Sequence, residues 1–413
     1  MNKRALFAAG VLLVYLLAGT FTALADLPDT GQSQCYDETG NPIACPAEGQ
    51  ALHGQDANYS TGLPSFTKLD VNGSELDAGA TSWAMVRDNV TGLIWEAKTD
   101  DGSIHDRDNT YSWINASDVF IDELNATAFG GRTDWRLPTR EELRSIADYG
   151  VMGPAVDLDY FPRTQSDATG SIYYWTSDPD ASSTANAWAI DFYAGNDNIV
   201  GKLYSHYVRA VQGNAATSNY TDNGDGTFTD SRTGLMWQQD GTVSGPKTWP
   251  QALAYCESLT LAGYDDWRLP NIKELASIVD LTVSDDADYS EFTVSSTDLS
   301  YYWTSTTYMP SSDQAWRVRF TSGTDSNRGK TPDDYNVRAV RGGQIAAAVP
   351  GDLNSDQAVD LSDAVIALKV CADLENTGLS VSYPLSEISV DNDSVIGVGE
   401  AVYALQKTAL LRE

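Results

Sequence analysis

Apolar positions along the chain change period several times, and the same order of changes occurs twice. Trp113, Ala116, Phe120 and Leu124 recur at helical spacing, as do Trp249, Ala252, Cys256 and Leu259. Each set predicts an amphipathic helix with one buried stripe. A second helix is expected after each Arg-Leu-Pro, because Thr139 with Glu142, and Asn271 with Glu274, have capping-box spacing. Leu143, Ile146 and Ala147, matched by Leu275, Ile278 and Val279, form its inner face. A short strand ending at Trp95 or Trp237 precedes the helices. Three strand-like pieces follow them: Tyr-Tyr-Trp-Thr-Ser, then Ala-Trp-x-x-x-Phe (Ala187 to Phe192, Ala315 to Phe320), then Val-Arg-Ala-Val. Helices followed by a hairpin-rich antiparallel sheet predict an α+β layout.

The repetition is nearly verbatim. Thr-Gly-Leu-Ile-Trp (Thr91 to Trp95) returns as Thr-Gly-Leu-Met-Trp (Thr233 to Trp237), and Asp-Trp-Arg-Leu-Pro (Asp134 to Pro138) returns at Asp266 to Pro270. Tyr173 to Ser177 returns at Tyr301 to Ser305, and Val208 to Gly213 at Val337 to Gly342. The pattern divides the chain into a leader (1–25), a loop-rich segment (26–87), a first repeat (88–213), a connector (214–229), a second repeat (230–343), a linker (344–350) and a tail (351–413). Asp222 to Asp230, with Asn-Gly and Asp-Gly turn signals, predicts a hairpin at the head of the second repeat.

Lys3 and Arg4 before an apolar run from Ala5 to Leu17, with Ala23-Leu24-Ala25 as a small-x-small cleavage site, predict a secretory signal peptide. No later stretch reaches transmembrane length, so the expectation is a secreted chain, extracellular or periplasmic, and not an integral membrane protein. The formal charge is −32 and the leader carries +2, leaving −34 on the mature chain. A field of that sign repels nucleic acid and tolerates divalent cations. In an exported chain, Cys35 and Cys45 are the natural disulfide pair, while Cys256 falls on a helical stripe and is expected in the core.

The three histidines, His53, His105 and His206, are scattered, which argues against a zinc cluster or a Ser-His-Asp triad. Arg136, Arg268, Arg209 and Arg338 stand in apolar phrases and are expected to satisfy carbonyls or carboxylates inside the fold. Trp175, Trp188, Trp303 and Trp316 are expected in the core, with Tyr193 and Tyr308 freer for contacts.

The ordered motif set resembles the Lcl C-terminal domain family, and the order of elements resembles the C-type lectin-like fold. That resemblance covers both repeats almost end to end and implies two tandem binding or adhesion domains, with a cell-surface glycan as a partner. The Glu-Pro-Asn type triplet by which C-type lectins hold calcium is missing from the repeats. The Arg-Leu-Pro-Thr-x-x-Glu phrase is also similar to one in formylglycine-generating oxidases, but those enzymes need reactive cysteines, and the repeats contain only Cys256. Arg317, Arg319, Lys330 and Arg338 are too few to predict a basic patch for sulfated glycans.

The tail carries its own repeat. Asp352, Asn354, Asp356, Asp360 and Asp363 occupy positions 1, 3, 5, 9 and 12 of a calcium loop, with the Ala358 carbonyl at position 7. A second loop aligns 37 positions on: Ser389, Asp391, Asp393, the Val395 carbonyl and Glu400. Calcium seeks about six to eight oxygens, and this spacing wraps them about one point. Ser389 and Gly397 are weak ligand positions, so the first site should be the tighter. A loop followed by one helix, given twice, resembles a dockerin module, which implies a small all-α module and a cohesin-like partner. The whole reads as an exported, non-enzymatic binding protein with a calcium-stabilised docking tail. The alternative is a non-catalytic component of a polysaccharide-degrading assembly, and a second is the oxidase.

Overall fold

In the computed structural model, the structure describes residues 27–59, 62–213, 220–282, 301–331 and 333–342, with isolated positions 364, 365, 367, 368 and 403 in the tail. The segment joined by the Cys35–Cys45 disulfide forms a minimal antiparallel hairpin, β1 (Cys35–Tyr36) with β2 (Pro42–Ile43). The first repeat holds β3 (Phe66–Leu69), β4 (Met85–Asp88), β5 (Ile94–Glu96), β6 (Tyr174–Pro179), β7 (Asn186–Asp191), β8 (Asn196–Gly201) and β9 (Val211–Gln212). The second holds β10 (Tyr220–Asp222), β11 (Thr227–Asp230), β12 (Met236–Gln238), β13 (Tyr301–Thr307), β14 (Gln314–Arg319), β15 (Asp325–Gly329) and β16 (Val340–Arg341).

Both repeats make the same two antiparallel sheets. The first has β3-β4-β5-β9 and β6-β7-β8; the second has β10-β11-β12-β16 and β13-β14-β15. Register is preserved: Trp95 faces Val211 as Trp237 faces Val340. Strand pairing extends each repeat upstream, with β3 in the loop-rich segment and β10 in the connector, where the expected hairpin is present. The Asp-x-x-Thr-Gly-Leu phrase is a turn. Asp88 accepts from Val90 N and Thr91 Oγ1, Asp230 accepts from Arg232 N and Thr233 Oγ1, and the glycines take φ of 73° at Gly92 and 69° at Gly234. A side chain there would be strained, which accounts for the repeated glycine.

The helices are short. α1 (Trp113–Asn115) runs through a π-helical stretch, Ala116–Ile121, into α2 (Asp122–Ala126); α3 is Arg140–Ser145, α4 is Trp249–Glu257 and α5 is Ile272–Ser277. The first repeat has extra residues between Trp113 and Trp135 compared with Trp249 to Trp267, and the π turn falls within that stretch. Thr139–Glu142 and Asn271–Glu274 form reciprocal capping boxes.

The expected α+β architecture, with two C-type lectin-like domains and an all-α dockerin-like tail, is corrected here. The described residues are mostly β, in five small sheets, with few helices. Helical periodicity was genuine but brief: α3 and α5 stop at Ile146 and Ile278, and the inner stripe continues into a turn instead of another helical coil. The described residues give no evidence of an all-α module after residue 350.

One core runs through both repeats, joining Trp95, Leu143 and Phe192 to Trp237, Leu275 and Phe320. Each repeat adds a satellite, around Phe120 and Trp175 in the first and around Cys256 and Trp303 in the second. Burial of many large side chains in a shared core favours one body over two beads, since apolar area removed from water contributes roughly 25 cal/mol per Å². Residues 27–59 lie over the second repeat: Gln32 bonds Thr307 in both directions, and Tyr59 Oη donates to Glu257 at 2.6 Å.

Candidate functional site

The eleven calcium-loop residues, Asp352 to Glu400, lie outside the described residues, so their geometry is not on view. Among the described residues, no cluster of His, Cys, Asp and Glu has metal-site geometry. The repeated arginines are where their neighbours predict. Arg136 forms a two-pronged pair with Glu142, and Arg268 with Glu274 at 2.7 and 2.5 Å; each also bonds a carbonyl, of Gly213 and Gly342. Arg209 and Arg338 donate to the carbonyls of Glu96 and Gln238. The four strand tryptophans are buried. Tyr193 and Tyr308 are only half-exposed, Tyr308 standing edge-on to Trp316. The Cys256 thiol is fully buried, and burial, reinforced by Glu257, pushes it well up, which disfavours the nucleophilic thiolate.

The repeats differ most informatively at β5. Glu96 is fully buried and holds Lys98 Nζ at 3.1 Å, His105 Nδ1 at 2.9 Å and the Ala210 amide at 3.2 Å. Burial raises its carboxyl, but Lys98 and His105 outweigh that and leave it below the ordinary glutamate value. In the second repeat the same place is Gln238, which accepts from Ala339 N and donates to Tyr255 Oη, and Lys98 is matched by Asp240. Each copy thus satisfies this position with its own partners, a charged set in the first repeat and an amide–phenol pair in the second.

Lys98 and Arg209 form the floor of a small cleft with Trp83, Tyr160, Phe161 and Arg163 around it. Arg209 is buried, its guanidinium lies 5.1 Å from the Phe161 ring, and its Nε has no hydrogen-bond partner. Desolvation lowers the pKa of both Lys98 and Arg209. Trp83 is fixed by its indole donating to the Tyr160 carbonyl at 3.1 Å and by Lys68 above its ring at 4.1 Å. Lys98, Arg209 and Arg163 stand here against the buried carboxylates of Glu96 and Asp106, a local excess of one positive charge on a chain of charge −32. With aromatic walls and cations at its base but room for only about one water molecule, the cleft suits a single small anionic group placed at its mouth. The signal that could have revealed it is the pair of mismatches Glu96/Gln238 and Lys98/Asp240 in otherwise matching phrases.

A second charged set joins the repeats. Asp197 and Asp325 hold the same place in β8 and β15, and each receives the other's backbone N–H. Arg144 Nη2 reaches both carboxylates, at 2.5 and 2.8 Å, and Arg140 reaches Asp197 at 2.9 Å and the Gly323 carbonyl at 2.5 Å. Burial, then the Asp197 carboxylate, drives the Asp325 pKa well up. This cluster ties the two repeats together through buried charge.

The sequence profile of the Lcl C-terminal domain matches residues 84–212 and 226–341, together more than half the chain. The chain belongs to the Lcl C-terminal domain family. Both Lcl matches begin near the start of β4 or β11 and end at β9 or β16, so β3 and β10 are additions outside the Lcl segments. No curated protein matches the chain.

Proposed function

We propose that this chain is an exported, non-enzymatic binding protein in which the first Lcl domain holds the anionic group of a ligand, such as an acidic saccharide of a cell surface, at the mouth of a small cationic cleft. The cleft of Trp83, Tyr160, Phe161, Lys98, Arg163 and Arg209 carries the reading. Lys98 and Arg209 are placed by the fold before any ligand arrives, which limits the ordering cost of binding, while Arg163 stands exposed at the mouth. The Cys35–Cys45 disulfide supports an oxidising compartment and hence export. Calcium held by the two tail loops, the first more tightly, and a docking role toward a cohesin-like partner belong to the same proposal. They rest on the spacing of Asp352, Asn354, Asp356, Asp360 and Asp363, and of its weaker second copy.

An array of uronic-acid, sulfated and neutral oligosaccharides tests the cleft. Acidic members should bind, and Trp83→Ala and Arg163→Ala should each weaken binding by about tenfold, the scale of one lost aromatic or charge-assisted contact. Equal retention of acidic and neutral members, or variants that bind like the parent, would remove the cleft from consideration.

A further inference from the structure

The second repeat has a face that the chain covers itself. Trp249 and Lys330 are both fully buried there, with Lys330 Nζ 4.4 Å from the Trp249 ring and 5.5 Å from that of Tyr36. The cover is the disulfide hairpin and the turn within it. Lys330 Nζ donates to the Asp37 carbonyl at 3.4 Å, Ser312 Oγ donates to the Gly40 carbonyl at 2.8 Å, and Tyr36 Oη reaches Met309 Sδ at 3.5 Å. Asp37, Asp313 and Glu38 supply negative charge around the lysine.

The first repeat builds the same face and leaves it open. Trp113 N donates to the Lys202 carbonyl at 3.1 Å, as Trp249 N donates to that of Lys330 at 3.2 Å. Lys202 Nζ stands 4.3 Å from the Trp113 ring. Both residues are now only half-buried. Around them Leu203 is 90% exposed, Tyr204 70% and Ile114 55%, the first two being the most exposed large apolar side chains among the described residues. Lys202 bonds the Thr184 carbonyl and has no carboxylate partner among the described residues, because Ala185 stands where the second repeat has Asp313. An exposed apolar surface thus surrounds a lysine that has a carbonyl and a ring as partners but no carboxylate among the described residues.

We propose that this face of the first repeat docks an acidic, aromatic-bearing turn of a partner polypeptide, in the manner in which the second repeat holds the chain's own Tyr36-Asp37-Glu38 turn. The occupant's aromatic ring and backbone carbonyl meet Lys202 beside Trp113, as Tyr36 and Asp37 meet Lys330 beside Trp249. Its apolar atoms extend onto Leu203 and Tyr204, a rim particular to the first repeat, since Thr331 at the Leu203 place is exposed. This surface is separate from the cleft and stands whether or not the cleft binds saccharide.

A synthetic peptide of residues 33–47, closed by its disulfide, is a direct probe, because in the full chain the face of the second repeat is already filled. Calorimetry with the full-length protein should show saturable binding. Leu203→Asp and Lys202→Glu should each weaken it by about tenfold or more, and a peptide lacking the Tyr36 ring should lose it similarly. Leu203 is so exposed that its substitution leaves the core untouched, and Tyr204→Ser provides a second variant on the same patch. Absence of binding at about 1 mM peptide, or binding indifferent to Leu203→Asp, overturns the proposal. So does a parent protein that is dimeric by light scattering and becomes monomeric with Leu203→Asp, since the face would then belong to a second copy.

Discussion

Replacing Arg144 by Met should be among the most damaging single changes in the chain, although the residue touches no cleft. Its side chain is 2% exposed and its Nη2 bridges Asp197 and Asp325, one from each repeat. Removing it strands Asp325 with only the Asp197 amide, while Asp197 keeps Arg140 at 2.9 Å. Breaking one partner out of a buried ion pair costs about 3–5 kcal/mol, because a desolvated charge is left without compensation. The lower part of that range is expected, since Asp325 already has a raised carboxyl and relieves the strain by taking up a proton. The loss should therefore shrink as the buffer is made more acidic. Urea unfolding of the parent, Arg144→Met, Asp325→Asn and the double variant forms a closed cycle. The double variant should recover about 1–3 kcal/mol relative to the sum of the singles. Additive effects, or an Arg144→Met protein within about 0.5 kcal/mol of the parent, which is ordinary for an uncoupled surface change, would refute the claim that this cluster joins the repeats.

Three further outcomes are expected. Cys35→Ser/Cys45→Ser should lower stability by about 2–3 kcal/mol in the chain-entropy model, read as a lower Tm, with the loss concentrated in the segment over the second repeat. Asp56 is buried and its carboxyl is pushed up to about 7, by burial first and by Asp29 second. Its folded pKa thus exceeds the unfolded one, so the folded state holds the extra proton and stability should fall as pH rises from about 4 to about 7; Asp56→Asn should flatten that slope in chemical denaturation. Calcium added to the full-length protein should give a binding heat, with Asp352→Ala weakening it more than Ser389→Ala, and a chelator should lower the Tm if calcium stabilises the tail.

Much of the internal architecture was legible because it is local. Thr139 and Asn271 announce their helix starts through Glu142 and Glu274, and an arginine between Trp and Leu has few ways to be satisfied other than the carboxylate one turn away. The cysteine pair likewise needed only proximity and compartment. Helix length was not legible, since a stripe such as Leu143, Ile146 and Ala147 reads the same whether its last members are helix or turn. Nor was the joint between the repeats. Asn-Asp-Asn and Asp-Ser-Asn in β8 and β15 look like solvated edge strands, and only Asp197 and Asp325 within them are buried, where the two copies meet. The clue lay in comparing copies, because Arg140 and Arg144 stand where the second copy has Ile272 and Ala276.

That comparison also separates scaffold from specialisation. Where both copies keep the same contact, the contact belongs to the fold: the indoles of Trp113 and Trp249 donate to Thr176 and Thr304 carbonyls at 2.9 and 2.8 Å, and those hydroxyls donate to the Trp188 and Trp316 carbonyls. Where the copies diverge while the backbone stays the same, the residue serves one copy alone, as Arg144 does at the joint where the second copy has Ala276. Glu96 against Gln238 is one such place, and Trp113 and Lys202, half-buried where the matching Trp249 and Lys330 are covered, are another. An exposed leucine contributes nothing to the core, so Leu203 and Tyr204 beside a lysine that has no carboxylate partner among the described residues are what the proposed partner covers.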